Sequence, residues 1–169
     1  MPVVRSRKAV KTVKRIGVGV TLICLFVILV AFAKRSDLRS YRQTLFVESA
    51  FRGDVTRMRI LLMLGANVNE QACQTFLCPP PIVAAAFDEH SHGVELLLDR
   101  GANVNSKMER GQTALMVAAY YGHVDTVRLL LSRGADINAQ FDGDTALSWA
   151  KQKGHTEIVD LLAKAGAAR

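Results

Sequence analysis

Two cysteines, Cys73 and Cys78, stand in the stretch EQACQTFLCPPP between Glu70 and Pro81, with four residues between them and three prolines after them. Thiols this near in the chain are close enough to bridge, and a stable disulfide requires an oxidising compartment. The alternatives are two free thiols, or half of a metal site that needs two further ligands; His90 and His92 lie nearby. His123, His155, Asp142 and Asp144 are the other side chains suited to acid–base work. None of these residues builds what catalysis demands: there is no nucleophile beside a base, no carboxylate pair and no glycine-rich phosphate loop after a strand. The expectation is a chain without enzymatic activity, cofactor, bound metal or small-molecule substrate, in which Cys73 and Cys78 are bridged.

The distribution of charge and apolar side chains shows what must position these residues. The formal net charge of +7 over 169 residues is spread unevenly. Residues 1–15 hold six basic side chains and no acid. Residues 34–59 hold seven basic (Lys34, Arg35, Arg39, Arg42, Arg52, Arg57, Arg59) against three acidic, and residues 60–169 hold nine basic against twelve acidic. Nucleic-acid binding is not expected, because the larger part of the chain would repel phosphate. Between the two basic stretches runs IGVGVTLICLFVILVAFA, eighteen uncharged residues from Ile16 to Ala33. As a helix it would span roughly 27 Å, the thickness of a bilayer core, and it has no polar face to present to water.

A cleaved secretory signal is the alternative, with AFA at Ala31 to Ala33 as the cleavage site. Its apolar core would be shorter, roughly 7–15 residues, and Lys34 and Arg35 would follow the cut directly. Cys24 follows Ile23 inside the run rather than a small residue at its end, which argues against a lipid-attachment site. Six basic residues precede the span (Arg5, Arg7, Lys8, Lys11, Lys14, Arg15) and four follow it closely (Lys34, Arg35, Arg39, Arg42). That bias places the N-terminus inside. The expected order is a basic cytoplasmic tail at 1–15, a transmembrane helix at 16–33, a juxtamembrane linker at 34–44 and a periplasmic domain at the bacterial inner membrane. Secretion to the periplasm after cleavage near Ala33 is the alternative, and a cytoplasm-facing adaptor follows if the orientation is reversed.

Internal repetition organises the rest. LLMLGANVNE (61–70), LLLDRGANVNS (96–106), LLLSRGADINA (129–139) and LLAKAGAAR (161–169) recur, with Gly65, Gly101, Gly134 and Gly166 spaced 36, 33 and 32 apart. Between them lie GQTALMVAAYYGHVDTV (111–127) and GDTALSWAKQKGHTEIV (143–159). In one copy Thr113 can cap a helix, Leu115, Ala118 and Ala119 form its buried stripe, and Gly122 can end it. Val124, Val127, Leu130 and Leu131 then form the stripe of a second helix closed by Gly134, and Asp136 and Asn138 suit the following turn. One such pair cannot bury its own apolar face, whereas stacked neighbours can. The predicted fold is all-α, a solenoid of about four helix-turn-helix units preceded by the one transmembrane helix.

These motifs resemble the ankyrin repeat family over about residues 41–169, with units at about 45–70, 71–106, 107–139 and 140–169. The resemblance implies a module that binds other proteins. Where the family pattern reads Thr-Pro-Leu-His this chain has TALM and TALS, so the family's Thr–His hydrogen bond is not expected. Glu48 stands where Val117 sits in the third copy, a polar residue suited to an N-terminal cap, and Lys164 and Arg169 suit the other end. His90, His123 and His155 match the family's structural Gly-His position, which leaves only His92 for a metal. Asp142 and Asp144 fall at turn and capping positions. Cys73 and Cys78 fall in an enlarged finger between helices, with Pro81 at the start of the next helix.

Trp149 shares the register of Val117 and Ala84 and is expected in the interior between repeats. By resemblance, Phe51, Arg52, Phe87, Asp88, Tyr120, Tyr121, Gln152 and Lys153 line the concave binding surface, adjoined by Lys107, Met108, Glu109, Arg110, Gln140 and Phe141 of the fingers. The expected partner is a protein of the cell envelope. The expected role is scaffold or assembly factor, the alternative an inhibitor or immunity protein that occludes a toxic effector.

Overall fold

The computed structural model describes residues 38–72, 79–89 and 91–166, and Ser40–Arg169 form one compact unit. Residues 38–51 are helical (α1). There follow α2 (Val55–Met63), α3 (Pro81–Ala85), α4 (His92–Asp99), α5 (Ala114–Tyr121), α6 (Val124–Ser132), α7 (Ala146–Lys153) and α8 (Thr156–Lys164). They form two layers. In one, α3 packs on α5 and α5 on α7; in the other, α2 packs on α4 and α6 on α8, while α3, α5 and α7 each also pack on the helix that follows. Among the described residues no helix is long and apolar enough to cross a membrane. The tail 1–15, the segment 16–33, Cys73, Cys78, His90 and Arg169 lie outside those residues.

Local chemistry explains why the helices begin and end where they do. The Thr113 side chain accepts from Met116 N–H at 3.4 Å at the start of α5. Thr145 does the same for α7 within a reciprocal capping box, in which Ser148 N–H donates to Thr145 Oγ1 (3.3 Å) and Thr145 N–H to Ser148 Oγ (2.8 Å). At α3 the first helical residue is Pro81, whose missing N–H costs nothing there. Gly122 ends α5 at φ 86°, in the left-handed region that residues with a Cβ avoid.

The core is a single apolar cluster running through all four units. Phe46, Met58, Ile82, Leu97, Leu115, Met116, Leu130, Ile158 and Leu162 are its largest fully buried side chains. Val127 and Leu130 carry the buried stripe of α6, while Val124 and Leu131 are only half-buried at its margins. Small residues fill the faces between inner helices: Ala84, Ala85, Ala114, Ala118, Ala119, Ala146 and Ala150 are all buried, which lets the helices approach closely.

A polar ladder runs beside this core along the turns that follow α2, α4 and α6. Asn69 Oδ1 accepts from Asn103 N–H (2.8 Å) and its Nδ2 donates to Gly101 O (3.1 Å). One unit on, Asn105 Oδ1 accepts from Asp136 N–H (2.8 Å) and Nδ2 donates to Gly134 O (3.4 Å). Gln43 makes the corresponding link at the N-terminal end: its Oε1 accepts from Asn67 N–H and its Nε2 donates to Asn67 O and Glu70 O. Gln43 is buried, so the packed unit includes residues before position 45.

Candidate functional site

The four inner helices are stacked in register, so equivalent positions at their C-terminal ends fall in line. Phe51 ends α1, Phe87 follows α3, Tyr120 and Tyr121 end α5, and Gln152 and Lys153 end α7. Phe51 and Phe87 have ring centroids 5.2 Å apart, Phe87 and Tyr121 5.5 Å, and Tyr121 and Tyr120 5.1 Å. Tyr120 meets Trp149 edge-on at 5.5 Å, and Trp149 meets Phe141 edge-on at 5.8 Å. Six rings thus make an unbroken row across all four units. Each such contact contributes about 0.5–1.5 kcal/mol beyond simple burial, so neighbours hold one another in place. Lys153 Nζ lies 4.2 Å from the Tyr120 centroid and adds a cation–π contact within the row.

Two histidines fix the backbone beneath the rings. His123 Nε2 is 3.2 Å from Phe87 O, and His155 Nε2 is 3.0 Å from Tyr120 O. A carbonyl only accepts, so in each ring the proton sits on Nε2. The histidine of one unit therefore clamps the aromatic position of the unit before it, and the Tyr121 ring stacks on His123 at 5.9 Å. These imidazoles are engaged with the fold, as their Gly-His register implied.

Between the inner helices and the fingers lies a cleft of about 290 Å³, lined by Phe87, Met108, Gln112, Val117, Tyr120, Tyr121, Phe141 and Trp149. The fingers form its far wall. In one, Met108 N–H donates to Gln112 O (2.9 Å). In the next, Phe141 and Asp144 exchange both backbone hydrogen bonds across a two-residue turn in which Asp142 (φ 50°) and Gly143 (φ 83°) both have positive φ. Asp-Gly is the pair that such a tight hairpin favours. Asp144 Oδ1 accepts from the Ser148 hydroxyl at 2.9 Å, so Asp142 and Asp144 are turn and helix-start residues. Apart from Gln112, the two tyrosine hydroxyls and the indole N–H, the cleft presents apolar side chains, a composition suited to holding a ligand.

The structure gathers Phe87, Tyr120, Tyr121, Met108 and Phe141 around this cleft, with Phe51 continuing the ring row and Lys153 over Tyr120. Phe51 and Tyr121 are about half exposed. Arg52, Lys107, Glu109, Arg110, Gln140 and Gln152 are exposed beside the row, Arg52 in an ion pair with Glu48 (2.7 Å), and Asp88 is half-buried. A Cβ at Gly53 would collide with the Asp88 carboxylate, which places Asp88 against the turn between α1 and α2.

Trp149 is the main difference from expectation. Val117 and Ala84, in the same register, are buried, but the indole is only half-buried and forms a wall of the cleft. An indole is far larger than the space that a valine or alanine fills between close-packed helices, so it extends toward the fingers. Gln112 and Val117 were also not anticipated as lining residues; the position of Val117 pointed inward, and Gln112 carried no signal. Among the described residues no cluster of three or more His, Cys, Asp or Glu could hold a metal, and His92 is exposed at the start of α4.

The profile of a family described as ankyrin repeats (three copies) matches residues 45–141 and again 81–168. The chain belongs to the ankyrin repeat family. No curated protein matches it significantly. Ankyrin repeat proteins are usually non-catalytic modules that bind other proteins, and the ring row of this ankyrin stack lies on the surface formed by its inner helices and fingers.

Proposed function

We propose that this ankyrin domain captures a partner protein of the cell envelope on its aromatic row, as a scaffold or assembly factor held at the inner membrane by residues 16–33. The observation that carries the binding surface is the cleft with its six-ring row. Aromatic anchors that are already ordered before binding lose little conformational entropy when a partner docks, so their burial translates efficiently into affinity. The cleft has room for one or two apolar side chains of a partner, and exposed Arg52, Lys107, Arg110 and Lys153 supply a polar rim.

The membrane attachment is supported by the eighteen uncharged residues, and the orientation by six basic residues before them against four after. Cys73 and Cys78, read as a disulfide, favour the same oxidising side. Alkaline phosphatase fused after Arg169 tests this topology, because that enzyme works only where disulfides form. Activity supports an extracytoplasmic domain; an intact but inactive fusion would refute it.

The binding surface is tested by placing a photo-crosslinking residue at Tyr121, with Asp160 on the outer helix α8 as the comparison site. Crosslinking in intact cells should yield a defined adduct from position 121 alone. The purified partner should then bind wild-type protein at least tenfold more tightly than Tyr121→Ala. Equal adducts from both sites, or unchanged affinity, would remove the assignment. Loss of the partner's own activity on binding would favour the inhibitor alternative over the scaffold.

A further inference from the structure

The first repeat displays an apolar surface that an ordinary end cap would not. Tyr41 is 59% exposed, Ile60 52%, Met63 84% and Leu64 62%; the other exposed large apolar residues after position 40 among the described residues are Phe51 and Tyr121 of the ring row. On α2, Ile60 and Met63 are three residues apart and turn away from the buried Met58 and Leu61. Tyr41 belongs to the same end of the unit. A Cβ at Gly65 would lie 3.9 Å from Arg42 Cζ, and Gln43 bonds to Asn67, so the first turns of α1 sit beside the end of α2 where Met63 and Leu64 project. Glu48, expected to give this end a polar character, is occupied with Arg52 near the other end of α1.

The charge among these residues is basic. Residues 40–65 carry Arg42, Arg52, Arg57 and Arg59 against Glu48 and Asp54. Arg52 pairs with Glu48 and Arg57 with Asp54, leaving Arg42 and Arg59 as the surplus; Arg59 is exposed on α2, and Arg42 is half-buried, its Nε enclosed without a hydrogen-bond partner. A tyrosine and aliphatic side chains interleaved with arginines are the composition of a surface that lies in a lipid interface, with rings and alkyl groups below the headgroups and guanidiniums among the phosphates. The sequence position agrees: the uncharged stretch ends at Ala33, eight residues before Tyr41.

We infer that the first repeat docks on an anionic phospholipid surface through Tyr41, Ile60, Met63 and Leu64, flanked by Arg42 and Arg59, so that the domain rests on the bilayer. This rests on the membrane anchor proposed above. Docking sets which face of the stack meets the bilayer.

The test uses full-length Met63→Trp protein in vesicles of phosphatidylcholine and phosphatidylglycerol whose acyl chains carry bromine. Bromine quenches indoles only at contact, and Trp149, the one natural tryptophan, serves as the internal reference in the concave cleft. The expected result is that the emission added by the tryptophan at 63 is largely lost in brominated vesicles, while wild-type emission is unchanged. The quenching should weaken when Arg42 and Arg59 are both changed to Gln, or when phosphatidylglycerol is omitted. Protein that floats with the vesicles but shows no quenching at 63 overturns the docking and leaves the anchor standing; protein that does not float overturns both. Quenching lost in favour of crosslinks between copies would assign the surface to self-association instead, and Ile60→Trp repeats the measurement should the first variant fold poorly.

Discussion

Replacing Gly122 by alanine isolates the contact that clamps one repeat to the next. Gly122 has φ 86°, and an added Cβ would lie 2.7 Å from His155 Cε1 and 2.9 Å from Nδ1. The left-handed backbone alone costs an L-residue about 1–2 kcal/mol, partly offset by about 0.5 kcal/mol from the stiffer unfolded chain. The imidazole must also move, breaking the bond from His155 Nε2 to Tyr120 O (3.0 Å), a loss of about 1 kcal/mol. Together these predict a loss of about 1.5–2.5 kcal/mol. Gly134→Ala is the control: φ is 79°, yet nothing lies within 4 Å of the added carbon, so only the backbone part, about 1 kcal/mol, applies.

The assay is urea unfolding of the full-length protein in micelles, followed by helical circular dichroism and by Trp149 emission, with the slopes compared so that midpoint shifts report stability. In a His155→Ala background the cost of Gly122→Ala should fall to that of Gly134→Ala, because the obstructing ring is gone. Equal costs for the two glycine variants in the wild-type background, or an undiminished cost without His155, would refute the reasoning.

Thr145→Ala removes one half of the capping box of α7 and should cost about 1 kcal/mol, with faster amide exchange confined to the first turn of that helix. Asn105→Ala deletes an acceptor for Asp136 N–H and a donor to Gly134 O; a loss of about 1–2 kcal/mol is expected, with Asp136 N–H exchange accelerated most. Arg128→Ala breaks an exposed pair with Glu157 (2.7 Å) and should change stability by less than about 0.5 kcal/mol, a difference that vanishes in high salt. Phe87→Ala together with Tyr121→Ala should weaken partner binding by at least tenfold while leaving the helical spectrum intact; unchanged binding would show that the row is not the docking surface.

Much of the architecture could be read from the chain because its signals are local. Thr113 and Thr145 announce helix starts through hydroxyls that reach only three residues ahead, and Gly122 announces an end through its own backbone freedom. The periodic Leu and Ala positions and the 32-to-36-residue recurrence then require a stack, since no single pair buries its face. The role of His123 and His155 was also visible in their register, although their partners, the carbonyls of Phe87 and Tyr120 about 35 residues away, were not.

What the sequence determined by itself was therefore the repeat and its caps, consequences of short-range hydrogen bonding and apolar periodicity, while the concave positions were implied by the resemblance to the ankyrin repeat family. Only the tertiary structure decided which rings touch. Phe51, Phe87, Tyr121, Tyr120, Trp149 and Phe141 come from four repeats, and their contacts depend on the spacing of stacked helices and on a hairpin between two of them. Trp149 shows the limit most clearly: its register marks it as interior, but a large side chain between close-packed helices goes where volume is free, and that volume is the cleft beneath the fingers.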